Sequence, residues 1–198
     1  MTKIIGLTGG IGSGKTTIAK HIQSFGIPVY FTDDEAKKIL ALPEIIKEIA
    51  NTFGTSILEN NAISKKRLSD IVFTSPEKLK QLNAIIHPAV NSDFKKWLEI
   101  NKKAPFVIKE SAILFESGAY KNCDNTITVI APLETRILRV MERDATTREK
   151  VMDRINNQWT DEMRIAKSDF VIKNEEIEIA ITQTDAILKE FYKINKSC

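Results

Sequence analysis

Lys3-Ile4-Ile5-Gly6-Leu7-Thr8-Gly9-Gly10-Ile11-Gly12-Ser13-Gly14-Lys15-Thr16-Thr17 decides how the rest of the chain is read. Lys3 to Thr8 is a short apolar run rich in isoleucine and is predicted as a strand. Glycine-rich sequence follows at once, and a helical pattern then runs from Lys15 to Phe25. Gly9 to Thr16 matches G-x-x-x-x-G-K-[ST] without gaps, in the strand-loop-helix context that this pattern requires. Glycines let such a loop adopt left-handed conformations and turn successive backbone N–H groups inward, forming a nest for phosphate oxygens. The helix that follows adds its partly positive N-terminus. Lys15 supplies a full charge near the β and γ phosphates, the Thr16 hydroxyl is a candidate Mg2+ ligand, and Thr17 a candidate donor to the α phosphate. Gly9, Gly10, Ile11, Gly12, Ser13, Gly14, Lys15, Thr16 and Thr17 are therefore the expected nucleotide-phosphate-binding residues.

Outward from this loop, further strands are predicted at Pro28 to Phe31, Phe106 to Lys109, Thr126 to Ile130 and Phe170 to Ile172. Mostly helical patterns separate them, which argues for βα units and a five-stranded parallel sheet flanked by helices. Asp33 to Lys103 reads as all helix and loop, far more than one crossover helix needs, and predicts a helical insertion. A second helical stretch, from about Arg139 to Lys167, carries many arginines and reads as a lid. The expected division is a nucleotide-binding core of residues 1–32, 104–138 and 168–198, a helical unit of 33–103 and a lid of 139–167. Thr32-Asp33-Asp34-Glu35 and Thr146-Thr147-Arg148-Glu149 have capping-box spacing. Ser75-Pro76-Glu77 places a capping serine before a proline at the first helical position. The last helix is expected from about Glu176 towards Tyr192, because Ile177, Ala180, Ile181, Thr184, Ile187, Leu188 and Phe191 recur at helical spacing.

A chain of 198 residues fits one α/β domain with insertions. Its net charge of +3 is too small, and its basic residues too dispersed, to indicate nucleic-acid binding. Cys123 and Cys198 make neither a CxxC motif nor a metal cluster with His21 or His87, and free thiols suit a reducing compartment. The first apolar run is broken by Gly6 and the glycines after it, so neither a signal-peptide core nor a membrane span is expected. The cytoplasm is the expected location.

Asp33 and Asp34 follow the second predicted strand. Carboxylates in a first helical turn are favoured by about 0.3–1 kcal/mol whatever their function. Ligands, however, bind beyond the carboxyl ends of strands in open parallel sheets, and a carboxylate there can accept the proton of an attacking hydroxyl. Glu110, just past the third predicted strand, is placed to hold a magnesium-bound water. Arg136, Arg139 and Arg143 share helical spacing along Leu133 to Asp144, so one face of that helix can stabilise charge on a transferred phosphoryl. His87, before Pro88, is a candidate helix cap or substrate ligand. Trp97 and Trp159 read as packing or hinge residues.

A signalling GTPase needs D-x-x-G and N-K-x-D, and neither occurs. The signature of a transporter ATPase is also missing. The chain resembles the dephospho-coenzyme A kinase family over almost its whole length. The resemblance starts with Gly6 to Thr17 and continues through Asp33 with Ala36-Lys37, Phe53-Gly54, Leu68 with Val72-Phe73, and Leu82-Asn83 leading to His87-Pro88. It resumes at Leu114-Phe115-Glu116, Arg139, Arg143-Asp144, Gln158 and Arg164, and closes with Asp169 to Ile172 and Asn174.

This resemblance implies transfer of the ATP γ-phosphoryl to the ribose 3′-hydroxyl of dephospho-coenzyme A, with Mg2+. It implies Asp33 as general base, Lys15 and Thr16 at phosphate and magnesium, and Arg139 and Arg143 as catalytic lid arginines. Lys65 and His87 fall with Asp33 among the implied substrate residues of the helical insertion, and Asn174 falls where the family holds adenine. The family's usual Asp-Ala-Asp appears as Phe31-Thr32-Asp33. Glu110 and Ala112 stand for a common Asp and Pro, Lys65 for a frequent Arg, and Arg136 for a frequent Gln. Lysine keeps the charge of arginine but lacks its bidentate fork. Another small-molecule kinase on this scaffold, or a nucleotide-dependent binding module without phosphoryl transfer, is the alternative left by the residues alone.

Overall fold

A computed structural model describes residues 2–72 and 74–196, and the side chains of 194–196 are not described. Phe73 and Cys198, both named above, lie outside the described residues. Two compact units are present: one takes the chain up to Phe31 and again from Ile100 onward, and the other is Thr32–Glu99.

The first unit is built on a five-stranded sheet. Its strands are β1 (Lys3–Thr8), β2 (Val29–Phe31), β5 (Phe106–Glu110), β6 (Asn125–Ile130) and β7 (Phe170–Lys173), in spatial order β2-β5-β1-β6-β7. Every pairing is parallel. The five strands fall where the sequence predicts them, with Glu110 as the last residue of its strand rather than just beyond it. Parallel strands covered on both faces are apolar throughout, and here Ile5, Leu7, Phe106, Ile108, Ile127, Val129 and Ile172 are buried. Helix α1 (Lys15–Ser24) packs on this sheet through Ile18, Ala19 and Ile22, and helix α9 (Ile177–Lys196) through Ala180, Leu188 and Phe191. Strand β1 lies at the centre with β5 and β6 on its two sides. The chain therefore leaves β1 at a point where strand order reverses, the usual place for a ligand in an open α/β sheet.

After β6 come α6 (Leu133–Asp144), α7 (Arg148–Asn156) and the short α8 (Asp161–Ile165). Ile137 and Val140 of α6 and Val151 of α7 form a second apolar cluster, and Ile11 of the glycine loop packs against it. The cap of α7 is Thr147, one residue later than the Thr146 that the capping-box spacing indicates. Thr160 caps α8, its hydroxyl accepting from the Met163 N–H at 3.3 Å.

In the second unit lie α2 (Thr32–Ile39), α3 (Pro43–Phe53), α4 (Lys65–Val72) and α5 (Pro76–Ile100). Ile39, Ile45, Ile49, Leu68, Val72, Leu82, Val90 and Phe94 are buried, giving each helix an inward apolar face. This stretch is not all helix and loop: β3 (Leu58–Glu59) and β4 (Ala62–Ile63) form an antiparallel hairpin. Asn60 and Asn61 take φ of 50° and 61°, the left-handed pair that a tight two-residue hairpin turn demands. Strands of two residues are too short to show alternation, so the sequence pattern misses them.

Two further expectations are corrected here. Thr32 does not close a capping box, because β2 runs straight into α2 and Thr32 is already helical; its buried hydroxyl has no hydrogen-bond partner among the described residues. His87 does not cap a helix, because Pro88 sits inside α5 rather than at its boundary. Pro88 is exposed, where water can satisfy the carbonyl that its missing N–H abandons. The Ser75 start does form: its hydroxyl accepts the Lys78 N–H at 3.4 Å and bonds Glu77 at 2.8 Å.

Candidate functional site

The segment between β1 and α1 is held in a shape that only its glycines permit. Gly14 takes φ of +90° as it opens α1, and a Cβ there would strike the Asn174 amide. Gly12 takes φ of +79°, and a Cβ there would meet the backbone of Arg136. The loop therefore lies directly against α6 and the end of β7. Asn174 Nδ2 donates to the Ser13 carbonyl at 2.7 Å, while the Asn174 N–H donates to Ile130 O at 2.8 Å, tying the loop to two strand ends. The Ser13 side chain and Asn174 itself are buried.

A cavity of about 400 Å³ opens over this loop, lined by Gly10, Gly12, Gly14, Lys15, Thr16, Thr17, Arg139, Val140 and Arg143. Its cationic walls come from two helices that the sequence separates by more than a hundred residues. Lys15 Nζ lies 3.5 Å from Glu110 Oε1, and the Thr16 hydroxyl lies 3.5 Å from the same oxygen. Glu110 is buried, at 3% exposure, so its carboxylate is directed into the protein beside the loop rather than into solvent. Its register explains this: Glu110 pairs with Leu7 of β1 on one side and Phe31 of β2 on the other. A hydroxyl and a buried carboxylate are hard oxygen donors, the set that suits Mg2+ when phosphates and water complete its shell.

The three arginines of α6 do not act as one face. Arg139 and Arg143 line the cavity, and Arg139 also donates to the Asn174 carbonyl at 3.3 Å. Arg143 forms a forked pair with Asp144, at 2.7 and 3.1 Å, and that hydrogen bonding pulls the Asp144 carboxyl down to about 2. Arg136 instead is buried beneath the loop, its Nε donating to Ile11 O at 3.0 Å and its Nη1 to Asp161 at 3.2 Å. Burial lowers the Arg136 pKa, with Asp161 opposing that effect. The expectation that Arg136 faces a transferred phosphoryl is thus corrected: it is a support of the loop.

Arg136 belongs to a buried ionic chain that sequence reasoning did not find. Asp161 also meets Arg164 at 3.4 Å, and Arg164 meets Glu116 at 2.9 Å with its side chain fully buried. Trp159 stacks on Phe115 at 5.9 Å and donates its backbone N–H to Glu116, consistent with a packing role. Asp161 and Arg164 are three residues apart, but no local pattern announces their links to Arg136 and Glu116, which lie 25 and 48 residues away from them.

Asp33, Lys65 and His87 belong to the helical unit, on three different helices. Asp33 is exposed in the first turn of α2, and Lys65 is exposed at the start of α4. His87 is half-buried in α5, and that burial lowers its pKa. Trp97 stacks on Phe94 one turn earlier in the same helix, at 5.9 Å.

Residues 3–178 match the family profile described as Dephospho-CoA kinase. A protein of Fusobacterium nucleatum named dephospho-CoA kinase is 44% identical over 86% of this chain and 89% of its own length. Among solved structures, a Thermus thermophilus protein superposes with a TM-score of 0.87 at 34% identity, covering 96% of this chain and 97% of that one. The dephospho-CoA kinase of Campylobacter jejuni gives 0.71 at 30% identity, covering 98% of this chain and all of that one.

Proposed function

Because the chain belongs to the dephospho-CoA kinase family, we propose the following division of labour for an enzyme that phosphorylates dephospho-coenzyme A with ATP. The reaction gives coenzyme A and ADP, the last step of coenzyme A synthesis. The bond formed joins the ribose 3′-oxygen to the γ phosphorus, and the bond broken is that between this phosphorus and the ADP oxygen.

The observation that carries the nucleotide half is the cavity over the glycine loop, with Lys15 and Thr16 both directed at the buried Glu110 oxygen. The Gly9 to Thr17 segment holds the triphosphate through those of its backbone N–H groups that are not bonded within the protein, as that of Ile11 is, and through the α1 N-terminus. Lys15 neutralises the β and γ phosphates. Thr16 and Glu110 would hold Mg2+, which would supply charge neutralisation for the triphosphate. Arg139 and Arg143, from a lid of residues 139–167, stabilise charge on the phosphoryl in transit, with Arg143 exchanging its Asp144 partner for phosphate. Asn174, at the end of β7, borders the adenine.

The acceptor half belongs to the helical unit 33–103. Asp33 takes the proton of the 3′-hydroxyl as it attacks, while Lys65 and His87 contact the acceptor. What supports these roles is the match of Asp33 and His87 to the family pattern and the exposure of Asp33 in a helical first turn two residues past β2. Most of the rate enhancement comes from positioning and charge stabilisation. No described helix is long and apolar enough to cross a membrane, and the proposed location is the cytoplasm, with a small-molecule substrate and neither nucleic acid nor membrane as partner.

The test is ADP release with ATP and Mg2+, comparing dephospho-coenzyme A, nucleoside monophosphates, simple sugars and no acceptor. Coenzyme A formed from the first acceptor alone is the expected result. Activity with a different acceptor only would overturn the substrate assignment.

A further inference from the structure

Ile11 sits between Gly10 and Gly12 at the apex of the glycine loop, and the structure grips it on three sides. Its N–H donates to Gln158 Oε1 at 2.8 Å. Its carbonyl accepts from Arg136 Nε at 3.0 Å. Its side chain packs against the Ile137, Val140 and Val151 cluster of α6 and α7.

These bonds fix more than Ile11. A peptide unit is planar, so anchoring one end of it sets the direction of the other. Gln158 anchors the Gly10–Ile11 unit by its N–H, and the Gly10 carbonyl at the opposite end accepts the Ser13 N–H at 3.1 Å, closing the loop's own turn. Arg136 anchors the Ile11–Gly12 unit by its carbonyl, which sets the direction of the Gly12 N–H. Glycine makes peptide rotation inexpensive, and a glycine flanks Ile11 on each side. The same residues that allow the phosphate cradle therefore allow it to collapse, unless something outside the loop holds it.

We propose that Gln158 is a positioning residue for ATP, holding the phosphate loop in its binding shape through the Ile11 N–H. This rests on the kinase reading above for its choice of nucleotide. Gln158 lies just beyond α7, directly before the Trp159 to Arg164 segment that the Glu116–Arg164–Asp161–Arg136 chain anchors. That chain anchors the segment directly after Gln158, and the Gln158 N–H itself donates to Ile155 O at 3.0 Å. The segment after β5, the α7–α8 connection and the phosphate loop are thereby joined in one unit.

Three proteins test this: the unmodified chain, Gln158→Leu, which keeps size but removes the acceptor, and Gln158→Glu, which keeps an acceptor oxygen. ADP and ATP affinities are measured by calorimetry without any acceptor, alongside Tm and the Ile11 amide resonance in the nucleotide-free protein. Losing one neutral hydrogen bond is expected to weaken nucleotide binding in Gln158→Leu about three- to tenfold. Its Tm should hold, its Ile11 amide resonance should shift, and Gln158→Glu should restore that resonance in the nucleotide-free protein. Affinity within twofold in Gln158→Leu overturns the proposal, whether Tm falls or holds. An Ile11 amide resonance displaced equally in both variants overturns it too, since the acceptor would then not matter. Nucleotide binding needs no acceptor substrate, so failure here and failure of the acceptor assay register separately.

Discussion

In the unit built on the sheet, each candidate residue is held by others: Lys15 and Thr16 face a buried carboxylate, Asn174 braces Ser13, and Arg136 and Gln158 grip Ile11. In the helical unit, Asp33 and Lys65 stand exposed and His87 half-buried, each on its own helix. The difference teaches what each task requires. A triphosphate cradle is made of backbone N–H groups, whose directions are useful only if the loop is rigid before the ligand arrives. The side chains proposed to meet the acceptor project from helices that are packed through other residues, Ile49, Leu68, Leu82 and Phe94.

The comparison breaks most readily at Lys15. Lys15→Ala is expected to lower turnover by about a thousandfold or more and to weaken ATP binding, with Tm little changed. Retained turnover would mean that the braced loop is not the phosphate site. Asp33→Asn should lower kcat by about 10²–10⁴-fold while ATP affinity, measured by calorimetry, stays within twofold. Loss of ATP affinity in this variant would erase the proposed division of labour between the units.

Arg164→Leu sharpens the structural side of the contrast. It removes the fully buried guanidinium that pairs with Glu116 and leaves Asp161 only Arg136. Because both carboxylates are partly exposed, the loss should fall at or below the about 3–5 kcal/mol of a fully buried pair. Denaturant unfolding should show that loss. The smallest expected effect concerns His87. Burial lowers its pKa from the ordinary 6.5, so between the two values the unfolded chain binds more protons than the folded one. Stability should therefore decline as pH falls through 6.5 and level off below the folded value. His87→Gln should flatten that slope in Tm measured against pH.

Much of the sheet is legible in the sequence because its signals are local. Short apolar runs bounded by turns mark the strands, and the Gly9 to Thr16 pattern marks the loop, since phosphate binding needs those backbone angles at that spacing. Ser75-Pro76-Glu77 marks the start of α5 for the same reason. The misses arise where local signals are weak or are overridden. Asn60-Asn61 is a hairpin turn between strands of two residues. Pro88 lies within a helix that its neighbours Leu82, Val90 and Phe94 hold together by burial. Thr32 loses its capping role because the strand before it leaves no turn in which to cap.

Arg136, Arg139 and Arg143 mark the boundary between the two kinds of knowledge. Their helical spacing, like the glycine loop and the strands around it, is determined by the sequence alone, because backbone propensity and periodicity act over a few residues. That Arg136 goes inward to Ile11 and Asp161 while Arg139 and Arg143 line the cavity over the glycine loop is decided only by the tertiary structure. A guanidinium can be buried only where packing delivers acceptors to it. Those acceptors lie 125 residues before Arg136 and 25 after it, beyond the reach of any local pattern.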